Sequence, residues 1–230
     1  MTRNLKILAA VTALFLTAAG RASGISTEKD RAAESAQVLQ EILKAPDKGI
    51  PKELLEDAHA IAVIPHVVKG AFLVGGEHGK GLVAQREGKA HWSAPSYVDL
   101  SGGSFGLQLG ASATDFVLVF TNSDGIKPLL KGKLKLGADA TLAAGPVGRT
   151  AQAGTDITLR AAVYSYSRTK GAFAGIALDG AVLSIDDDAN QRVYGTQLSG
   201  QDILLNGKAR PNGIVEPFLE ALRKDVSAGS

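Results

Sequence analysis

The chain has 230 residues, 27 glycines, no cysteine and a formal net charge of +2. With 21% charged and 45% hydrophobic residues it has the composition of a folded protein, which excludes a disordered chain. The lack of cysteine excludes a disulfide framework, a thiolate metal site and a cysteine nucleophile. The glycines follow no three-residue period, so collagen is excluded as well.

Residues 1–22 have the features of a secretory signal peptide. Arg3 and Lys6 form a basic start, an uncharged run follows, and small residues end the segment. A retained membrane anchor is the alternative. The end of the run also resembles the approach to a bacterial lipoprotein cleavage site, but Arg21 stands where that site requires the lipidated cysteine. We therefore expect export to the periplasm or the outer-membrane periphery without a thioether lipid on this sequence.

Residues 23–230 are predicted to form a single domain, because no long linker, repeat or low-complexity tract divides them. Removal of the signal takes away three basic residues, so the net charge becomes 22 − 23 = −1. A near-neutral domain is a poor candidate for binding nucleic acid, which requires a basic surface that neutralises several phosphates. No nucleic-acid partner is expected.

Helical periodicity dominates the start of this domain. An amphipathic helix is predicted from Glu28 to Lys44, and Pro51 is suited to the first turn of a second short helix that ends by His59. The first helix places four apolar residues on one face: Ala32, Ala36, Leu39 and Leu43.

From Ala60 onward, short apolar segments alternate with turn residues, which predicts β-strands. Glycines within the strands indicate bends, so the sheet is expected to be antiparallel and strongly curved or barrel-like. One helix, from Asp124 or Gly125 to about Lys131, interrupts the series. The predicted strands span residues 60–65, 70–76, 81–86, 92–100, 104–111, 115–122, 133–144, 155–167 and 172–185.

Three further helices are predicted after the strands, at residues 186–192, 199–205 and 214–226. The last one has Val215, Leu219 and Leu222 on one face. The predicted fold class is therefore α+β, with a helical N-terminus, a β-rich curved antiparallel sheet or barrel-like core, and a helical C-terminus.

Two motifs superficially resemble catalytic or nucleotide sites. Ser104 lies in a Gly-x-Ser-x-Gly sequence, but a nucleophile elbow of that type takes its histidine from later in the chain, and all four histidines precede Ser104. We interpret this segment as a glycine-rich strand edge. Gly75–Gly81 lacks the spacing and the hydroxyl residue of a Walker loop, so a β-hairpin turn is predicted there.

Metal-binding patterns are also incomplete. Asp186–Asn190 has oxygen ligands at the first, third and fifth positions of a calcium loop, but Gln191 replaces the required glycine and Gln197 the bidentate glutamate. A solvated acidic turn that caps a helix is the preferred interpretation. The four histidines lack the spacing of a zinc site. We expect no metal, no cofactor and no enzymatic activity.

A run of lysines is the most distinctive charged feature. Strand alternation places Lys131, Lys133 and Lys135, here called the lysine row, on one face, and Leu134 and Leu136 on the other. Such a row attracts anionic lipid headgroups. An ordinary solvated face, or a sheet edge that lysines protect from aggregation, is the alternative. Residues 100–123, just before it, carry one charge and are expected to be buried core, with a surface that inserts into lipid as the alternative.

Nine ordered sequence blocks resemble the SYLF lipid-binding domain family, from about His59 to the C-terminal helix. The resemblance implies binding of lipid or a membrane surface, with phosphoinositides as ligands of eukaryotic members, some of which also engage actin through other regions. It supplies no catalytic residue. The blocks are residues 60–65, 75–81, 92–95, 102–110, 136–139, 144–149, 164–171, 173–175 and 194–195.

The resulting hypothesis is a non-enzymatic, exported lipid-binding protein of the bacterial envelope whose partner is anionic phospholipid. An apolar residue, Phe173, would contact acyl chains. A structural protein of the envelope that binds a protein partner is the alternative. The basic residues expected to meet headgroup phosphates are Lys127, Lys131, Lys133, Lys135, Arg149, Arg168 and Lys170.

Overall fold

A computed structural model describes residues 27–45, 49–69, 76–88, 91–103, 114–146, 161–169, 172–176 and 178–227. The signal peptide, the strand predicted at 104–111 and the first part of the one at 155–167 lie outside these residues, as do Arg149 and Lys170. Among the described residues, no helix is long and apolar enough to cross a membrane.

The predicted helices are confirmed, with ends that differ by a few residues. The second helix is the least accurate, because it ends three residues earlier than the prediction. The described helices are α1 (residues 27–43), α2 (Lys52–Glu56), α3 (Ser123–Leu130), α4 (Asp187–Tyr194), α5 (Gly200–Leu204) and α6 (Glu216–Ser227).

Ten strands form one curled sheet, which confirms the α+β class. The strands are β1 (Ala60–Lys69), β2 (Gly76–Glu87), β3 (His91–Trp92), β4 (Ser96–Gly103), β5 (Thr114–Phe120), β6 (Lys133–Lys135), β7 (Leu142–Ala144), β8 (Val163–Thr169), β9 (Ala172–Gly175) and β10 (Val182–Ile185).

The main path of the sheet is β6-β10-β4-β2-β1-β5-β8-β7, while β3 pairs with β2 and β9 with β8. All described pairs are antiparallel except β7 with β8, which are parallel. The single strand predicted at 133–144 is wrong, because the structure has two strands there, β6 and β7, which lie at opposite ends of the main path of the sheet. Gly137 has a left-handed φ of 81°, and Asp139 accepts a hydrogen bond from the Lys135 N–H at 2.7 Å, so the chain turns and β6 and β7 separate. The strand predicted at 172–185 likewise divides into β9 and β10.

Both faces of the sheet carry an apolar core. On the α1 face, helices α1 and α6 cover Ile61, Val63 and Leu82. On the α3 face, Ile126 and Leu129 of α3 pack with alternate residues of the same strands, such as Ile64. Since both faces are covered, the central strands are almost continuously apolar.

The hairpin turn predicted at Gly75–Gly81 is wrong, because β2 runs straight through Gly76–Gly81. The glycines are needed for close approach to β1. A Cβ at Gly79 would lie 2.4 Å from Val67 Cγ2, and one at Gly81 would lie 2.1 Å from the Val63 carbonyl oxygen. Strand β1 is bulged at this point, so its backbone lies unusually near to β2.

Candidate functional site

The lysine row lies at an edge of the sheet. Strand β6 is the outermost strand on that side, with Lys133 and Lys135 exposed and Leu134 fully buried, as the alternation predicted. Lys131 is also exposed, but it caps the end of α3 and does not belong to the strand. Lys127 lies on α3 itself, where its Nζ is 2.5 Å from Asp124 Oδ1.

The amines of the lysine row are available to a ligand. Within the described part of the chain, Lys131, Lys133 and Lys135 form no ion pair. The cross-strand neighbours on β10 are uncharged, since Ser184 lies opposite Lys133 and Val182 lies opposite Lys135. Exposed cations without carboxylate partners attract phosphate groups, and the edge position is equally compatible with protection against aggregation.

Arg168 has a different environment from these lysines. Its guanidinium lies 2.6 Å from Asp115 Oδ2 and also pairs with Glu41, while its side chain is only 16% exposed. Burial lowers the pKa of Arg168. Asp115 also accepts a hydrogen bond from the His66 N–H at 2.9 Å, which holds the β1 bulge. The contacts of Arg168 are therefore internal.

Phe173 lies in β9, opposite Arg168 on β8. Its strand position is described, and its side chain is not. Arg149 and Lys170 lie outside the described residues. Of the predicted headgroup ligands, Lys127 and Lys131 belong to α3 and its C-cap, Lys133 and Lys135 lie on the adjacent strand β6, and Arg168 lies elsewhere, on β8.

A set of charges with a buried centre joins α1 to the sheet. Sequence reasoning missed this set, which is here called the ion cluster. Arg31, which is 5% exposed, lies 2.9 Å from Asp186 and 3.3 Å from Glu28. Its guanidinium also donates to the Val98 carbonyl oxygen at 2.5 Å. The members are Glu28, Arg31, Lys80, Asp99, Asp186 and Arg192.

The pKa values of the two aspartates in the ion cluster shift in opposite directions. Burial alone would raise the pKa of Asp186, but hydrogen bonds from the Ala189 N–H and Arg31 outweigh it, so that pKa lies below its usual value. Burial and the nearby Asp186 raise the pKa of Asp99. Burial also raises the pKa of Tyr97, whose hydroxyl donates to the Glu28 carbonyl oxygen at 3.0 Å.

The acidic turn at Asp186 was predicted to be solvated, and Asp187 and Asp188 are exposed as predicted, but the prediction is wrong for Asp186. Asp186 caps α4 by accepting from the Ala189 N–H at 3.0 Å, as expected, but it is only 8% exposed because Arg31 covers it. Only the spacing of Glu28 and Arg31, three residues apart, was visible in the sequence, and such pairs are usually on the surface. Their partner is 155 residues from Arg31 along the chain.

The ion cluster has three acidic and three basic members, so its formal charges cancel. Its carboxylates face arginines and a lysine, and this arrangement joins α1, β2, β4 and α4. The four histidines lie apart and exposed on the surface. In the part of the chain that the structure describes, no three His, Asp or Glu side chains are placed to hold a metal ion.

A shallow cavity of about 280 Å³ lies between the end of α4 and the segment that precedes α6. Tyr194, Lys208 and Arg210 are among its lining residues, which include no carboxylate and no histidine. The Tyr194 hydroxyl donates to the Pro95 carbonyl oxygen, and Lys208 lies 2.8 Å from Asp202. The polar ends of Tyr194 and Lys208 therefore contact other groups of the protein.

Comparison with known proteins gives consistent matches. Residues 101–225 match a family described as "Ysc84: Las17-binding protein actin regulator". LAS seventeen-binding protein 3 of Saccharomyces cerevisiae is 32% identical over 202 residues, which cover 84% of this chain and 44% of that protein. SH3 domain-containing YSC84-like protein 1 of Homo sapiens is 32% identical over 192 residues, which cover 81% of this chain and 56% of that protein. The chain spans about half the length of these curated relatives.

Proposed function

Because the chain belongs to the Ysc84 (SYLF) family, we propose that it is a non-enzymatic protein that binds anionic phospholipid headgroups at a membrane surface. The signal-like residues 1–22 support export, so the proposed location is the bacterial envelope, in the periplasm or at the periphery of the outer membrane. The matched relatives are longer than this chain, and their whole activities are not transferred to it.

The observation that carries this proposal is the lysine row. Its three amines are exposed and lack ion pairs among the described residues, while Leu134 and Leu136 on the opposite side are fully buried. The burial of these leucines therefore fixes Lys133 and Lys135 on one side of β6, while Lys131 lies just before the strand, at the end of α3. Each lysine near an anionic bilayer contributes about 1 kcal/mol of attraction.

Vesicle co-sedimentation tests the proposal directly. Residues 23–230 are mixed at low salt with vesicles of phosphatidylcholine alone or with an equal part of phosphatidylglycerol. Retention by the anionic vesicles only is expected. Combined Lys131→Glu, Lys133→Glu and Lys135→Glu substitution is expected to lower the partition coefficient about a hundredfold or more, because three attractions of about 1 kcal/mol are lost.

A matched control distinguishes an effect of the position of these charges from an effect of the net charge. Lys44, Arg210 and Lys224 are exposed and distant in sequence from the lysine row, and their combined substitution by Glu changes the net charge equally. That variant is expected to keep most of its binding. Failure of the wild-type chain to bind anionic vesicles, or equal losses in the two triple variants, would contradict the proposal.

A protein partner is the second candidate function. It is favoured by the relative named as binding LAS seventeen, and by the position of β6, which pairs with one strand only within the described sheet. Salt distinguishes the two candidates, because headgroup attraction weakens as ionic strength rises and an apolar protein interface does not. Envelope-protein binding that persists at high salt, without vesicle binding, would favour this candidate.

A further inference from the structure

Two members of the lysine row, Lys133 and Lys135, belong to a larger exposed surface on the α1 face of the sheet. Strand register aligns two rows of side chains across β6, β10, β4 and β2, and the second row reaches β1. Together they form the outer strip. The first row is Lys133, Ser184, Asp99 and Lys80, and the second is Lys135, Val182, Ser101, His78 and Val68.

Side-chain alternation puts both rows on the same face. Leu100, Leu134 and Leu183 pack into the core on the α3 face, so the residues between and beside them point to the α1 face. Lys133, Lys135, Ser101 and His78 are exposed there. With about 4.8 Å between strands, the second row extends roughly 19 Å along the sheet from Lys135 to Val68.

The uncompensated charge of the outer strip is positive. It comes from Lys133 and Lys135, which form no ion pair among the described residues, while Lys80 pairs with Asp99 at 3.7 Å and with Asp186 at 3.5 Å. The single acidic residue of the strip, Asp99, is also 3.4 Å from Arg31, so it is already neutralised within the protein. Asp139 accepts a hydrogen bond from the backbone N–H of Lys135 at the outer edge of β6, and it does not belong to the strip.

The outer strip also carries exposed apolar surface. Val68 is 54% exposed, and it is one of two large hydrophobic residues exposed to this degree among those described, the other being Leu205. Val182 is half-buried in the middle of the same row. Basic and apolar side chains on one face match a bilayer interface, where phosphates and the upper acyl region are both within reach.

We propose that the membrane-binding surface is the whole outer strip, with the sheet face lying against an anionic bilayer, and not the lysine row alone. This inference rests on the proposed lipid-binding function and adds Lys80, His78, Ser101, Val182 and Val68 to its binding residues. Lysines contact headgroup phosphates, the polar side chains lie among the headgroups, and Val68 contacts the acyl region.

Two variants test the strip without touching any lysine. Ser101→Glu adds a negative charge at the centre of the second row, and Val68→Asp replaces its exposed apolar end. Each is expected to lower the partition coefficient for phosphatidylglycerol-containing vesicles about fivefold or more, which corresponds to about 1 kcal/mol. Because both positions are on the surface, circular dichroism and the unfolding midpoint are expected to remain as in the wild type.

The matched controls are Gln197→Glu and Leu205→Asp. Gln197 is an exposed residue between α4 and α5, and Leu205 is 51% exposed at the end of α5, which packs into the core on the α3 face through Leu204. Both controls make chemical changes of the same kind away from the strip. Their vesicle binding is expected to stay within about twofold of the wild type, as for surface substitutions without a specific contact.

The outcomes separate this inference from the proposed function. If the wild-type chain does not bind anionic vesicles, the proposed function fails and the strip with it. If the lysine-row variant loses binding while Ser101→Glu and Val68→Asp bind as the wild type does, the proposed function stands and the strip is wrong. Self-association through the strip, detected as loss of a dimer in Ser101→Glu without an effect on vesicle binding, would also overturn it.

Discussion

Gly81 illustrates how closely two strands can approach when one side chain is absent. Its missing Cβ would lie 2.1 Å from the Val63 carbonyl oxygen and 2.8 Å from the Ile64 Cα, and both are backbone atoms that cannot rotate away. Gly79 contacts side chains of the same bulged segment. These glycines therefore fix the spacing of β1 and β2 and the position of Lys80 between them.

Gly81→Ala is expected to destabilise the fold by about 1–3 kcal/mol, because overpacking forces the backbone to shift. Urea unfolding followed by circular dichroism measures the change. Gly213→Ala is the control, since no atom lies within 4 Å of a Cβ there, and its effect is expected within about 0.5 kcal/mol. If the urea midpoint of Gly81→Ala equalled that of the wild type, the spacing of the two strands would not be constrained at this position.

At the scale of elements, α4 begins at a residue with two roles. Asp186 accepts from the Ala189 N–H as the N-cap of α4, and it also pairs with Arg31 of α1 at 2.9 Å. The carboxylate that caps α4 therefore also holds α1 through its pair with Arg31. The oxygen that caps α4 is Oδ1 and the one nearest Arg31 is Oδ2, so one carboxylate serves both helices.

Asp186→Asn is expected to reduce the loss of stability in acid. The pKa of Asp186 is lowered in the fold, so its contribution is present above the unfolded value of about 3.9 and is lost as pH falls below that through the folded value. Unfolding free energies measured from about pH 5 to pH 2 are expected to fall less steeply in the Asn variant.

Asparagine retains an oxygen that can cap α4, so this variant removes mainly the charge. Asp187→Asn, in an exposed residue of the same turn, removes the same formal charge without the contact to Arg31. Parallel pH profiles for the wild type and Asp186→Asn would mean that the Arg31 contact does not affect acid stability.

At the scale of the whole molecule, the ion cluster connects regions that are far apart in sequence. Arg31 of α1 meets Val98 and Asp99 of β4 and Asp186 before α4, while Arg192 of α4 lies 2.5 Å from Glu28. Helices α1 and α4 are thereby held together beside the outer strip. Because Glu28, Arg31 and Asp186 are buried, loss of one of them leaves the other buried charges without compensation.

Arg31→Met is expected to cost about 3–5 kcal/mol of unfolding free energy, because Asp186 and Glu28 remain buried without their shared partner. Lys127→Met, which breaks the exposed pair with Asp124, is the control and is expected to cost under about 1 kcal/mol. Chemical denaturation measures both, and hydrogen exchange in α1 is expected to rise in Arg31→Met only. Equal stability of the two variants would contradict a connecting role for the ion cluster.

The sequence by itself determined the α+β class, the helices and the alternation of Lys133 and Lys135 with buried leucines, because periodicity and turn residues are local properties of the chain. It could not show that Gly76–Gly81 continues a strand, since the reason is the nearby bulge of β1. It could not show that Asp186 is buried, because its partner Arg31 is 155 residues away. Only the tertiary structure placed β6 at the sheet edge and aligned it with Lys80 and Val68, since strand order and register arise from long-range pairing.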